Sequence, residues 1–227
     1  MICFEKFCQH QPLNRQAERY ALEGAPIALS TMADAVGAVC VALDPLRRLV
    51  EAHVMAAERL HGEPALGLDP RDTTLPVLAN DKTDTGRCWI YVRDERPFGG
   101  VGAPAAMFYY SRDRRGEHPQ AHLTRYAAIL QADAYDGYNK LYLVDRKPGA
   151  IREAACWAHG RRPFSAMADV EKNARRRAAG QKEIALLPIA IEVVRRIDAL
   201  FAVEREINGK SPQERLAVRQ TASRPLV

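Results

Sequence analysis

A chain of 227 residues, 47% hydrophobic and 27% charged, has enough apolar content for a core and the length of one large domain or two small ones. Its formal charge of +5 suits a nucleic-acid partner without requiring one; much of the excess lies in "DRKPGAIREAACWAHGRRPF" and "EKNARRRAAGQKE". No uninterrupted apolar run approaches the ~20 residues of a bilayer span, the N-terminus lacks a signal-peptide layout, and five scattered cysteines do not make a disulfide framework. The expected setting is therefore reduced, soluble and cytoplasmic, with no membrane.

The first ~13 residues read as irregular, and Cys3, Cys8 and His10 fall short of the four ligands of a structural zinc. Two helical segments follow, "NRQAERYALEGAPI" and "LSTMADAVGAVCVALDPLRRLVEAHVMAAERLHG". Gly24 closes the first, and Ser30 or Thr31 caps the second, with Asp34 three residues beyond Thr31. The pair is either a helix-turn-helix or an ordinary helical hairpin. Leu46, Leu49, Val50, Val54 and Ala57 recur at helical spacing, which predicts core packing.

From Thr73 the pattern turns to strands. "TTLPVLA" is the first, with Pro76 marking an edge or an irregularity. "NDKTDTGR" is a polar turn, "CWIYVRDE" a strand rich in aromatic and β-branched residues, and "AAMFYYS" a third strand after another turn. Short connections make these antiparallel. "HPQAHLTRYAAI" reads as a crossover helix, so the next strand, "ILQADAY", runs parallel to one already in the sheet. A short strand at "REAACWA" precedes helices at "HGRRPFSAMADVEKN", at "LPIAIEVVRRIDALFAVEREING" and at "SPQERLAVRQ", where Ser211 and Glu214 have capping-box spacing.

Three antiparallel strands, a helix, then a strand ending in Asp133 is the opening of a ribonuclease-H-like sheet, in which the first and fourth strands are neighbours. Carboxylates at their ends suit two divalent cations ~3.5–4 Å apart in phosphodiester cleavage, and hard oxygen ligands suit Mg²⁺. His118 and His122 lie four apart and "CWAH" has Cys-x-x-His spacing, but neither completes a zinc set. Lys82 and Arg87, in the expected first hairpin turn, and the run Arg175, Arg176, Arg177 are candidate phosphate contacts or solvated charges. His159 and Arg161 are candidates for the metal site or DNA phosphates, against an exposed basic face as the alternative. Trp89 and Trp157 read as core or sheet-face aromatics.

Six blocks in order, "QPLNRQAERYALEG", "STMADAVGA", "DTTLPVLANDKTDTGRCWIYVRDERPFGG", "FYYSRDRRGEHP", "LQADAYDGYN" and "EAACWAHGRRPF", resemble the insertion-sequence-66 family of bacterial transposases. The resemblance runs from about Gln11 to Arg219. It implies a ribonuclease-H-like core with an Asp-Asp-Glu metal site, using Mg²⁺ or Mn²⁺ and acting on transposon ends and target DNA. Asp133 matches the second catalytic aspartate. The position aligned with the first is Arg71, so Asp72, the next residue, or Asp69 upstream stands in for it; Asp72 is the preferred candidate. The block that carries the family's Glu lies beyond this sequence, and so does its upstream basic, cysteine-containing region.

The sequence thus predicts an α/β protein, an incomplete ribonuclease-H-like core (67–170) preceded by a helical region (1–66) and followed by a helical insertion (171–227), the central portion of a transposase truncated at both ends. Asp72 and Asp133 would hold the metal, and Lys82, Arg87, Arg161, Arg175, Arg176 and Arg177 would contact DNA. Partners would be DNA and either like copies or full-length transposase subunits. The alternative is an inactive DNA-binding or oligomerising fragment, or the product of a decayed gene. A complete nuclease would need a third acid from within the chain, such as Glu192 or Glu206.

Overall fold

The structure, a computed structural model, describes residues 1–64, 74–79, 82–182 and 185–227. Two compact units form, Met1–Ala52 and His53–Val227.

The first unit is helical. Helix α1 (Ile2–Phe7) occupies a stretch whose sequence reads as irregular, and α2 (Leu13–Leu22) follows. A buried carboxylate joins them: Glu5, 3% exposed, accepts from Arg19 at 2.5 Å and from the Tyr20 hydroxyl at 3.2 Å. Gly24 ends the helical run with φ +80°, in the left-handed region that favours glycine. The unit division falls within α3 (Leu29–Met55). This helix is long and apolar enough to cross a membrane by length and composition, contrary to the reading of the apolar runs above. The predicted core stripe also splits. Val54 and Ala57 are buried, whereas Leu46 and Leu49 are 58% and 69% exposed.

The second unit is built on a mixed sheet. Its strands are β1 (Arg59–Pro64), β2 (Thr74–Ala79), β3 (Lys82–Arg93), β4 (Ala105–Ser111), β5 (Ile129–Ala132) and β6 (Arg152–Ala155). β3 lies antiparallel to β4 on one edge and antiparallel to β1 and β2 on the other. β1 lies parallel to β5, which lies parallel to β6. Read across the sheet, the order is β4-β3-β1-β5-β6, with β2 extending along the first half of β3.

β1 is the main departure from the sequence reading, which ran the preceding helix through "ERLHG". Its residues carry little strand preference. Its conformation comes from partners on both sides, with Gly62 opposite Tyr91 in β3 and Leu60 opposite Leu130 in β5. At Gly62 a Cβ would sit 2.8 Å from Leu130 Cδ1, so any other residue would have to push the buried Leu130 side chain aside. The neighbour of β5 is therefore β1 and not the "TTLPVLA" strand. Lys82 and Arg87 also lie within β3, not in a hairpin turn.

One sheet face carries the core. Leu60, Trp89, Tyr91, Met107, Leu130 and Ala132 are buried there, and Leu123, Tyr126, Tyr138, Leu141 and Ile151 are buried as well. The short helix α4 (Glu117–His122) delivers His122, whose ring stacks on Tyr109 at 4.2 Å between centroids. The Trp89 indole N–H donates to Ser111 Oγ at 2.8 Å, so the largest core side chain has its polar atom satisfied. Beyond the sheet come α5 (Trp157–Met167), α6 (Val170–Ala178), α7 (Pro188–Glu206) and α8 (Pro212–Val218). α5 packs on α7. α8 begins with the predicted capping box, Ser211 and Glu214 bonding reciprocally. Trp157, expected in the core or on the sheet, is 48% exposed at the start of α5.

Candidate functional site

The carboxyl ends of β5 and β6 lie side by side: Cys156 N–H, at the cap of α5, donates to Ala132 O at 3.0 Å. Asp133 is the first residue beyond β5. The strand places it at the sheet's end, where an Asp-Gly turn begins and the tyrosines of the following 3₁₀ segment (Asp136–Tyr142) fold back. One carboxylate oxygen, Oδ2, lies 3.5 Å from Arg114 Nη2. The other, Oδ1, is buried without a hydrogen-bond partner.

The surroundings explain why that is unusual. Tyr138 is fully buried, and burial pushes its phenol far above the ordinary value, with the negative charge of Asp133 adding to the shift. The same two causes, with Glu153 between them in size, raise Tyr142. Arg114 spreads over the Tyr135 ring 4.4 Å from its centroid, and the Tyr135 hydroxyl donates back to Arg114 O. Aromatic walls thus lower the local dielectric around a carboxylate that has one facing guanidinium and one unused oxygen. A buried acceptor left open costs free energy unless a donor or a cation takes it. His159 Nδ1, in the first turn of α5, is likewise buried without a partner.

Hard divalent cations bind carboxylate oxygens, so Asp133 Oδ1 fits one position of such a site. Among the described residues Asp133 belongs to no group of three close metal-type ligands. The group that does form is Asp113, Glu117 and His118, whose ligand atoms lie within 4.8 Å of one another. Two of its contacts are helix-entry bonds: Asp113 accepts from Arg115 N–H at 3.0 Å and pairs with His118 Nε2 at 2.7 Å. These hold the Asp113 carboxyl below its usual range.

The structure places the other predicted residues as follows. Asp72 and Asp69 lie outside the described residues. Extending the β1–β5 register (Arg59 with Ile129, His61 with Gln131) sets backbone position 63, a glutamate, level with Asp133. Position 63 directly follows the segment that the sequence predicts as helical, "…AAERLHG", and lies instead in β1. Lys82 begins β3, and Arg87 pairs with Thr74 on one side and Ser111 on the other. Arg161 is engaged by Asp198 of α7 through two bonds, at 2.7 and 3.0 Å, which raises its pKa and ties α5 to α7. Arg175, Arg176 and Arg177 crowd the last turn of α6, where cations favour the helix dipole, and Arg176 Nε donates to Lys182 O at 2.8 Å.

The family model described as "Transposase IS66 family" matches residues 1–227. Three proteins of Sinorhizobium fredii (strain NBRC 101917 / NGR234), each named only as uncharacterized, are similar over nearly the whole chain. The protein y4hP is 52% identical over 225 residues, covering 99% of this chain and 39% of its own length. Protein y4qI is 30% identical over 231 residues (100% of this chain, 39% of its own), and y4jD is 29% identical over 230 residues (100% and 41%). The chain therefore spans about two fifths of the curated relatives it matches. No solved structure matches it. With the family match extending from the first residue to the last, the chain belongs to the IS66 family of transposases.

Proposed function

We propose that this chain carries the ribonuclease-H-like part of a DNA transposase and that Asp133 is one of its metal-holding carboxylates. The observation that carries the reading is the unpartnered, buried Oδ1 of Asp133 at the end of β5. The sheet order β4-β3-β1-β5-β6, with only β5 and β6 parallel to β1, supports the ribonuclease-H-like assignment. Glu63, level with Asp133 on the adjacent strand, joins Asp72 and Asp69 as a candidate for the first acid.

Bound Mg²⁺ or Mn²⁺ would supply charge stabilisation and activation of water for phosphodiester cleavage. Asp133 would offer Oδ1 to the cation while Arg114, 3.5 Å from Oδ2, fixes the carboxylate and adds positive charge beside the incoming phosphate. The tyrosines exclude water on the core side. Arg175, Arg176 and Arg177, with Lys82, Arg87 and Arg161, would contact the DNA backbone, a salt-sensitive interaction. A second reading, a DNA-binding segment without cleavage of its own, is favoured by the lack of a three-ligand group at Asp133 among the described residues.

The test is Mn²⁺-dependent nicking of a duplex bearing the element's terminal repeat, by the chain and by its Asp133→Asn and Glu63→Gln variants, with Mn²⁺-induced thermal stabilisation measured in parallel. Nicking and stabilisation lost in Asp133→Asn are expected. Stabilisation by Mn²⁺ that survives Asp133→Asn would sink the metal assignment. Salt-sensitive DNA binding with no nicking in any form would select the second reading.

A further inference from the structure

A cavity of about 520 Å³ lies at the end of the sheet opposite Asp133. Its walls include Glu58 and Arg59, where β1 begins, Arg93 at the end of β3, Glu95, Phe98 and Ile129. Arg59 pairs with Ile129, four residues before Asp133, so β5 separates the two places by about 13 Å. The charges around the cavity are matched except at Arg59. Glu95 accepts from Arg93 at 2.9 Å, and Asp94 holds Arg96 at 2.7 Å. Glu204 takes Arg219 at 2.7 Å and Arg215 at 3.7 Å. Among the described residues, no hydrogen bond or ion pair engages the half-buried Arg59 guanidinium. It rests instead on Phe98, of the 3₁₀ turn Arg96–Phe98, with Cζ 3.8 Å from the ring centroid. That ring is itself held, stacked on His61 and with Arg215 Cζ at 5.3 Å. Burial first, then the charge of Arg219, lowers the Arg59 pKa, a repulsion that a bound anion would relieve.

We propose that this cavity is an anion subsite in which Arg59 binds a phosphate group, either a free phosphate or a phosphate of a DNA backbone. The planar fork of a guanidinium offers its N–H donors in pairs that match phosphate oxygens. Stacking on Phe98 fixes the fork before any ligand arrives, so little side-chain freedom is lost on binding. Arg215 and Arg219 both act on Arg59 and share the single carboxylate of Glu204, which leaves excess positive charge on that side. This favours the more highly charged phosphate over a carboxylate. Glu58, exposed at the rim, is the group that opposes an anion. The inference does not rest on the Asp133 metal site or on whether the chain cleaves DNA.

Calorimetric titration of the full chain with inorganic phosphate at low ionic strength tests it. Arg59→Met should weaken phosphate binding about tenfold, and Glu58→Gln should tighten it. Arg48→Met, which removes an arginine of α3 with its side chain 73% exposed, should leave it unchanged. Thermal melting of each variant without phosphate checks folding. If Arg59→Met melts early, Arg59→Lys serves instead; it keeps the charge, loses the fork and should weaken binding about threefold. A DNA duplex separates the two sources of phosphate. If the group belongs to DNA, Arg59→Met should reduce the slope of log affinity against log salt by about one. An unchanged slope with phosphate still bound through Arg59 assigns the cavity to the free anion. A wild type that binds no phosphate, together with an unchanged slope, overturns the proposal. So do equal phosphate affinities in the wild type and Arg59→Met, or acetate bound as tightly as phosphate.

Discussion

The sheet and helix α3 use apolar side chains in opposite ways. On the sheet's buried face Trp89, Tyr91, Leu60 and Leu130 lose all contact with water, and the polar atom of Trp89 finds Ser111. On α3 a run of valines and leucines of equal hydrophobicity stays exposed, Val41 at 75% and Leu49 at 69%. The difference teaches that apolar content sets the demand for burial, while topology decides whether the chain meets that demand alone. β1 and β5 are flanked on both sides by strands that bring their own side chains. Among the described residues, α3 has nothing comparable along residues 37–49.

Paired substitutions should break the comparison most sharply. Trp89→Ala removes the largest fully buried side chain and should cost about 3–5 kcal/mol of stability, cavity included. Val41→Ala removes two exposed methyl groups and should change stability by about 0.5 kcal/mol or less. Denaturant unfolding of both variants measures the contrast. Equal losses would mean that α3 is packed within the monomer.

A polar substitution sharpens the same point one step down. Arg146, after the 3₁₀ segment, donates to the carbonyls of Tyr126 and Gly149 at 2.7 Å each and to that of Leu123. It stitches the loop before β5 to the loop before β6, and burial lowers its pKa. Arg146→Met keeps the aliphatic stem and removes the donors, so it should destabilise by about 2–3 kcal/mol. Hydrogen exchange should show the loss first in the amides of β5 and β6. Exchange that rises uniformly instead would make Arg146 an ordinary surface charge.

Much of this was readable in the residues, for identifiable reasons. β3, β4 and β5 announce themselves by aromatic and β-branched content, and α8 by its capping box, because these signals are local. The parallel setting of β5 follows from its crossover connection. Asp133 at the end of β5 was legible too. β1 was not, since "RLHGEP" contains a glycine, a proline and no β-branched residue. Its strand state comes from β3 and β5, which lie well over twenty residues away in sequence. Extending the β1–β5 register sets backbone position 63 level with Asp133, while Asp69 and Asp72 lie outside the described residues. Burial along α3 was misread for the converse reason. A helical stripe in sequence predicts that a face is covered without saying which molecule covers it.

The smallest expected effect concerns the edge of the second unit, where cohesion is electrostatic. Arg219 binds Glu204 through two bonds of 2.7 Å, and Arg215 approaches the same carboxylate at 3.7 Å. The Arg219 hydrogen bonds, and next its charge, outweigh desolvation and hold the Glu204 carboxyl below its ordinary value. A carboxyl whose folded value is depressed contributes stability at pH above its unfolded value, about 4.3. That contribution fades as pH falls through the depressed folded value. Glu204→Gln should therefore melt below the wild type at neutral pH, by well under the Arg146→Met loss because the pair is partly solvated. The two melting curves should converge as the pH drops below 4.3. A difference that persists unchanged into strong acid would assign the edge to packing of Arg215 against Phe98 (5.3 Å from its ring centroid) instead of to the ion pair. That outcome would bring the edge under the same rule as the core, in which burial and not charge decides what holds.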